Sequence, residues 1–203
     1  MSRRTLAILA VLALAFAILT GLAVRSGILA TKPQTAAVGG PFQLVDQTGR
    51  TVDERLLKGK WSAVFFGFTY CPDVCPTTMF ALGQAEKALG AEAKDFQTVL
   101  ISVDPGRDTP QQMATYLSNG SFPQKAWGLT GSPQQVDAAA GVYRVFHQKA
   151  GEGADYTVNH STVTYLMNPR GEFTCAIPYN TPPDVIAKKV RAAMQQGPRA
   201  RSC

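Results

Sequence analysis

Phe66-Gly67-Phe68-Thr69-Tyr70-Cys71-Pro72-Asp73-Val74-Cys75-Pro76 is the stretch on which the fold turns. It puts two thiols four residues apart, directly behind the apolar run Trp61 to Phe66. Each cysteine precedes a proline, which biases the residue before it towards extended geometry. Neither sulfur is therefore expected inside a regular helix. Pro76 suits a first helical position, where a missing N–H costs nothing, so Cys75 is predicted at the N-cap. The pair then sits at a strand-to-helix junction, where the positive helix end favours thiolate. Thiolate is the form that attacks disulfides and binds soft metals.

Outward from this junction the chain alternates. Phe42 to Val52 reads as a hairpin turned at Asp46-Gln47-Thr48-Gly49, and Trp61 to Phe66 as a buried strand. Thr77 to Leu89 has helical spacing, with Met79, Leu82, Ala85 and Leu89 on one face and Gly90 as its stop. A strand over Gln97 to Val103 ends at Asp104-Pro105-Gly106, Pro110 opens a helix, and Ala126 to Leu129 is a short strand. Ser132-Pro133 starts another helix. Thr162 to Met167 and Glu172 to Ile177 form a closing hairpin around Asn168-Pro169-Arg170-Gly171. Thr181, Pro182 and Asp184 have the spacing of a capping box for a last helix. The middle alternation predicts parallel strands covered by helices, with the closing hairpin adding antiparallel edge strands. The fold class is α/β, a thioredoxin-like three-layer domain with an N-terminal β-hairpin, preceded by one transmembrane helix.

That helix is expected over Leu6 to Val24, which are 19 residues without a charge behind Arg3-Arg4. The length just spans a hydrocarbon core of about 30 Å. The two arginines put the N-terminus on the cytoplasmic side and the rest in a periplasm or equivalent space. A cleaved signal peptide is the competing reading, and it too exports the domain. The domain boundaries follow: residues 1–30 membrane anchor, 31–40 linker, 41–197 globular domain, 198–203 tail. Formal net charge is +6, but residues 1–40 carry basic groups and no acid, leaving 16 basic against 14 acidic residues beyond them. That balance gives no nucleic-acid surface. Lys188, Lys189, Arg191, Arg199 and Arg201 read as a solvated helix face and tail rather than a lipid-facing cluster.

Thioredoxin-type reductases place two residues between their cysteines and a proline before the closing hairpin. This chain has three residues, and Val158-Asn159-His160-Ser161-Thr162 at the second place. In such a fold His160 is aimed at Cys71 and Cys75. Two thiolates and an imidazole suit copper as Cu(I) or Cu(II), and zinc would accept the same set. His147 has no such placement and reads as structural. Cys175 reads as a buried apolar residue and Cys203 as a thiol on a flexible tail.

The cysteine run, together with Ser102-Val103-Asp104-Pro105, Arg107-Asp108-Thr109-Pro110 and Asn159-His160-Ser161, resembles the Sco/SenC family of copper chaperones over roughly residues 40–197. The resemblance implies a membrane-tethered, thioredoxin-like domain holding one copper ion through Cys71, Cys75 and His160. It implies service to the copper A site of cytochrome c oxidase subunit II, with an upstream periplasmic copper donor as a further partner. It implies handling of copper without turnover. Thiol–disulfide reduction by Cys71 and Cys75 is the alternative, and peroxidase or sensor roles stay open. The family pattern commonly has Asp where this chain has Asn159. Asp104 is read as a turn-former or outer neighbour of the site, Asp108 or Thr109 as the cap of the helix opened by Pro110, and Asp73 as exposed.

Overall fold

The computed structural model describes residues 3–25 and 38–203. They fall into two units, residues 1–37 and 38–203. In the first, α1 (Arg3–Arg25) is a helix over the expected anchor. Among the described residues no helix is long and apolar enough to cross a membrane. Most of the expected linker, residues 31–37, lies outside the described residues. Residues 38–40, also expected in the linker, belong to the second unit, where the Gly39 N–H donates to the Val142 carbonyl at 2.9 Å.

The second unit is built on β1 (Gln43–Asp46), β2 (Thr51–Asp53), β3 (Trp61–Gly67), β4 (Phe96–Ser102), β5 (Ala126–Thr130), β8 (Thr164–Met167) and β9 (Phe173–Ile177). These form one sheet in the order β2-β1-β5-β4-β3-β8-β9. β3, β4 and β5 run parallel, and β8 pairs antiparallel with β3. β3 and β4 are buried at every residue, so both of their faces are covered, which is why β3 reads as a continuous apolar run. Only β9 of the closing hairpin is an edge strand. β8 lies between β3 and β9 and is buried throughout, a correction to the expectation of two edge strands.

The helices are α2 (Val74–Leu89), α3 (Pro110–Leu117), α4 (Pro133–Tyr143) and α5 (Pro183–Gln196). α2 buries Met79, Leu82, Ala85 and Leu89 as its spacing predicts and stops at Gly90. Ser132 and Gln135 form a capping box at the start of α4. The predicted box at α5 does not form: Pro182 is the N-cap, and the Thr181 hydroxyl turns back to the Pro178 carbonyl at 2.7 Å. β4-β3-β8-β9 with α2 following β3 and α5 following β9 is a thioredoxin-like core, extended by β5 and the N-terminal hairpin.

One element was not legible in the sequence. β6 (His147–Ala150) and β7 (Thr157–His160) form a separate two-stranded sheet. Of their eight residues only Val158 is buried. There is thus no apolar alternation to announce them, and the turn spends its glycines at positive φ, at Gly151 and Gly153.

The C-terminus corrects a second expectation. Cys203 is disulfide-bonded to Cys175, Ala200 is buried, and the Ala200 carbonyl accepts from Asn168 and Thr174 side chains. The segment is a strap across β9, not a loose tail. Cys175 is half-buried, as is its partner Cys203, rather than a core thiol. The C-terminal basic residues are largely neutralised: Lys188 pairs with Asp184, Arg191 with Glu92 and Arg201 with Glu172.

Candidate metal centre

The site lies at the carboxyl end of β3, where open α/β sheets place their ligands. Cys75 occupies the first turn of α2, not its N-cap; Asp73 is the residue before the helix. The first-turn N–H groups have no intrahelical acceptor, so Pro76 is tolerated two positions deeper than expected. The Asp73 carboxylate caps no helix N–H and takes the Thr77 hydroxyl at 3.2 Å. The Cys71 sulfur serves instead, accepting the Cys75 N–H at 3.4 Å. Gly67 makes room: a Cβ there would sit 2.8 Å from Cys75 Sγ.

His160 closes the site from the end of β7. Its Nε2 is 3.6 Å from Cys75 Sγ. Its Nδ1 is 2.9 Å from the Ser161 carbonyl oxygen, which can only accept. Nδ1 therefore carries the proton, and in the neutral ring Nε2 presents its lone pair to the sulfurs. The ring is edge-packed against Phe65 and Phe68. One donor atom each from Cys71, Cys75 and His160 lies within 4.8 Å of the others, with both thiols free. Cys71 and His160 line an open groove of about 240 Å³ beside Phe68, Asp73 and Asn159.

The two thiols differ sharply. Cys71 is pulled down to about 4, chiefly by the hydrogen bond from the Cys75 thiol; burial opposes this, and the backbone N–H groups of Cys75 and Asp73 add smaller help. Cys75 is pushed far up by the same shared hydrogen bond and by burial. The pair holds one proton over a wide pH range.

The neighbouring acids do other work. Asp108 is fully buried and accepts from the Ser102 hydroxyl at 2.6 Å and from the Thr69 hydroxyl at 2.7 Å, tying β4 to the cysteine loop. Burial raises its carboxyl above the ordinary range despite these donors. Thr109, not Asp108, caps α3, through a bond from the Gln112 N–H at 3.2 Å. Asp104 is held by Arg107 and Tyr156 rather than turned to the thiols. Asp73 and Asn159 are exposed. His147 stands opposite His160 across the β6–β7 ladder but contacts Asp137 at 3.2 Å. Gly67, Arg107 and Tyr156 carry no role in the sequence reading. Arg107 lies within the Arg107-Asp108-Thr109-Pro110 motif, whereas Tyr156 has no sequence signal.

The SCO1/SenC family model matches residues 30–195. The mitochondrial SCO1 homolog 1 of Arabidopsis thaliana is 45% identical over 154 residues, covering 75% of this chain and 45% of the relative, so the chain spans about half of that protein's length. The crystal structure of Arabidopsis thaliana ScoI with copper bound superposes with a TM-score of 0.74 at 41% identity, covering 79% of this chain and 99% of that one. BsSco, described as having a disulfide switch and as a member of the Sco family of cytochrome c oxidase assembly proteins, gives a TM-score of 0.61 at 28% identity, over 79% of this chain and 95% of that one. The chain belongs to the SCO1/SenC family.

Proposed function

We propose that this chain binds one copper ion through Cys71 Sγ, Cys75 Sγ and His160 Nε2 and delivers it to, or prepares, the copper A site of cytochrome c oxidase subunit II. The observation that carries the reading is the convergence of these three donor atoms within 4.8 Å. Two sulfurs and an imidazole can hold either copper oxidation state, as a carrier that must accept and release the ion requires. The copper-bound Arabidopsis relative and the oxidase-assembly role stated for BsSco support it. The domain takes up copper in an exported compartment, docks on the apo subunit, and passes the ion by ligand exchange.

Anchoring by α1 in the cytoplasmic membrane, with the domain facing the periplasm, is part of the proposal. It is supported by the uncharged run behind Arg3-Arg4. Leu12, Leu14, Phe16 and Ile18, which point to different sides of α1, are exposed. The Cys175–Cys203 disulfide fits an oxidising compartment.

A second reading, thiol–disulfide reduction of the recipient's cysteines, is favoured by the thiol asymmetry. Cys71 is the accessible thiolate that attacks, and Cys75 the buried thiol that resolves. The test is copper stoichiometry and absorption of the reduced full-length chain beside His160→Ala. The chaperone reading expects one copper per chain and a thiolate-to-Cu(II) band lost in the variant. A chain that ignores copper while both proteins reduce a disulfide substrate equally is an oxidoreductase.

A further inference from the structure

Among the described residues, no strand of the seven-stranded sheet pairs with the hairpin that carries His160. A backbone ladder therefore does not fix the imidazole against the thiols. Arg107, in the turn after β4, supplies a different link. Its guanidinium carbon lies 3.6 Å from the ring centre of Tyr156 on the hairpin. The same carbon lies 4.8 Å from the ring of Tyr70, the neighbour of Cys71, and 5.9 Å from that of Phe68. Nη1 donates to the Ala154 carbonyl of the hairpin at 3.3 Å.

Asp104 locks the group from beneath. Its Oδ2 accepts Arg107 Nε at 2.5 Å, and its Oδ1 accepts the Tyr156 hydroxyl at 2.6 Å. Both ends of the stacked pair are thus held by one carboxylate that is itself 5% exposed. Arg107 Nη2 is buried with no hydrogen-bond partner among the described residues. A buried donor left unmade costs free energy, so hydrogen bonding alone does not select this pose. Stacking of the planar cation between aromatic rings of two different segments does.

We propose that Arg107, clamped by Asp104 and Tyr156, is a positioning residue that sets the approach of His160 to Cys71 and Cys75 and thereby governs imidazole ligation at the copper site. The inference rests on the three-donor reading above. Tyr70 sits one residue before Cys71, and Tyr156 four residues before His160, so one guanidinium gauges the distance between the two halves of the donor set. Loss of the clamp leaves the thiols in place and frees the hairpin.

The test uses the full-length chain titrated with Cu(II), read by the thiolate charge-transfer band and by nitrogen coupling in the electron paramagnetic resonance spectrum. Arg107→Met and Tyr156→Leu are expected to weaken Cu(II) binding about tenfold, the scale of one stacked cation, and to diminish the nitrogen coupling. Tyr156→Phe keeps the stacked ring but loses the hydroxyl's bond to Asp104, so it is expected to weaken Cu(II) binding less than Tyr156→Leu. In a His160→Ala background Arg107→Met adds no further loss. Unchanged nitrogen coupling in Arg107→Met, or the same tenfold loss in the His160→Ala background, overturns the proposal. If His160→Ala alone leaves copper binding intact, the three-donor reading falls and this one with it. If His160→Ala weakens binding while Arg107→Met does not, only the present inference falls. Should Arg107→Met fail to fold, Tyr156→Leu carries the same comparison.

Discussion

Cys75 Sγ and His160 Nε2 lie 3.6 Å apart although 85 residues separate them in the chain. One sits in the first turn of α2, the other at the end of a hairpin outside the main sheet. The contact joins a rigid half of the site to a half held by side chains.

The shared proton of the cysteine pair makes copper binding less acid-sensitive than two ordinary thiols would be. Cys71 is already ionised above about 4, whereas Cys75 keeps its proton. At pH 7 the pair is expected to release about one proton per copper, against close to two for unperturbed thiols. Calorimetry in buffers of different ionisation heat counts the protons, and two would refute the assigned thiolate.

In the metal-free protein, alkylation should find Cys71 and spare Cys75. The rate should follow a titration near pH 4, the value at which Cys71 ionises. Folding stability carries the same signature. The folded value lies below the ordinary 9.0, so the Cys71 thiolate contributes stability that is complete above pH 9 and is lost as pH falls towards about 4. The stability gap between the parent and Cys71→Ser should therefore narrow steadily with acid over that window. Cys75 is raised, so it stays protonated in the window and adds no slope there.

Gly67→Ala tests the space beside the buried sulfur. The added methyl would lie 2.8 Å from both Cys75 Sγ and Phe65 Cε1. Neither the strand nor the first helical turn can yield cheaply, so the cost is about 1–3 kcal/mol in urea unfolding. Copper affinity should fall with it, because Cys75 must move. Parent-like stability would show that the junction is looser than its contacts indicate.

Cys203→Ser releases the C-terminal strap. The disulfide closes a segment with a sequence separation of 28. Its loss is expected to cost about 3.5 kcal/mol by the chain-entropy account. The strap lies on β9 and contributes no donor, so copper stoichiometry and spectrum should be unchanged. A change in either would connect the strap to the site.

Part of this architecture follows from the chain's local chemistry. The apolar run of β3, short and bounded by glycines, reads as a strand covered on both faces, and the turn signals at Gly49 and Gly90 mark where neighbouring elements end. The thiol spacing behind β3 was enough to place both sulfurs at one junction, because strand and helix meet there within a few residues. His160 was legible only through the order of the elements, since a lone histidine carries no local signal.

The rest was decided by contacts between distant segments. Whether Cys75 stood before α2 or within it depended on the Cys71 sulfur taking the capping bond that no side-chain oxygen supplied. The hairpin of β6 and β7 buries almost nothing, so no periodicity marks it; it exists through its pairing with itself and through Tyr156 stacked on Arg107. The Cys175–Cys203 bond joins a strand to the last residue, a pairing that spacing cannot distinguish from two independent thiols. Sequence patterning thus specified what each segment wants to be, because propensity and burial are local. The tertiary structure alone chose which side chains meet, because distance between segments is set by packing that no single segment encodes.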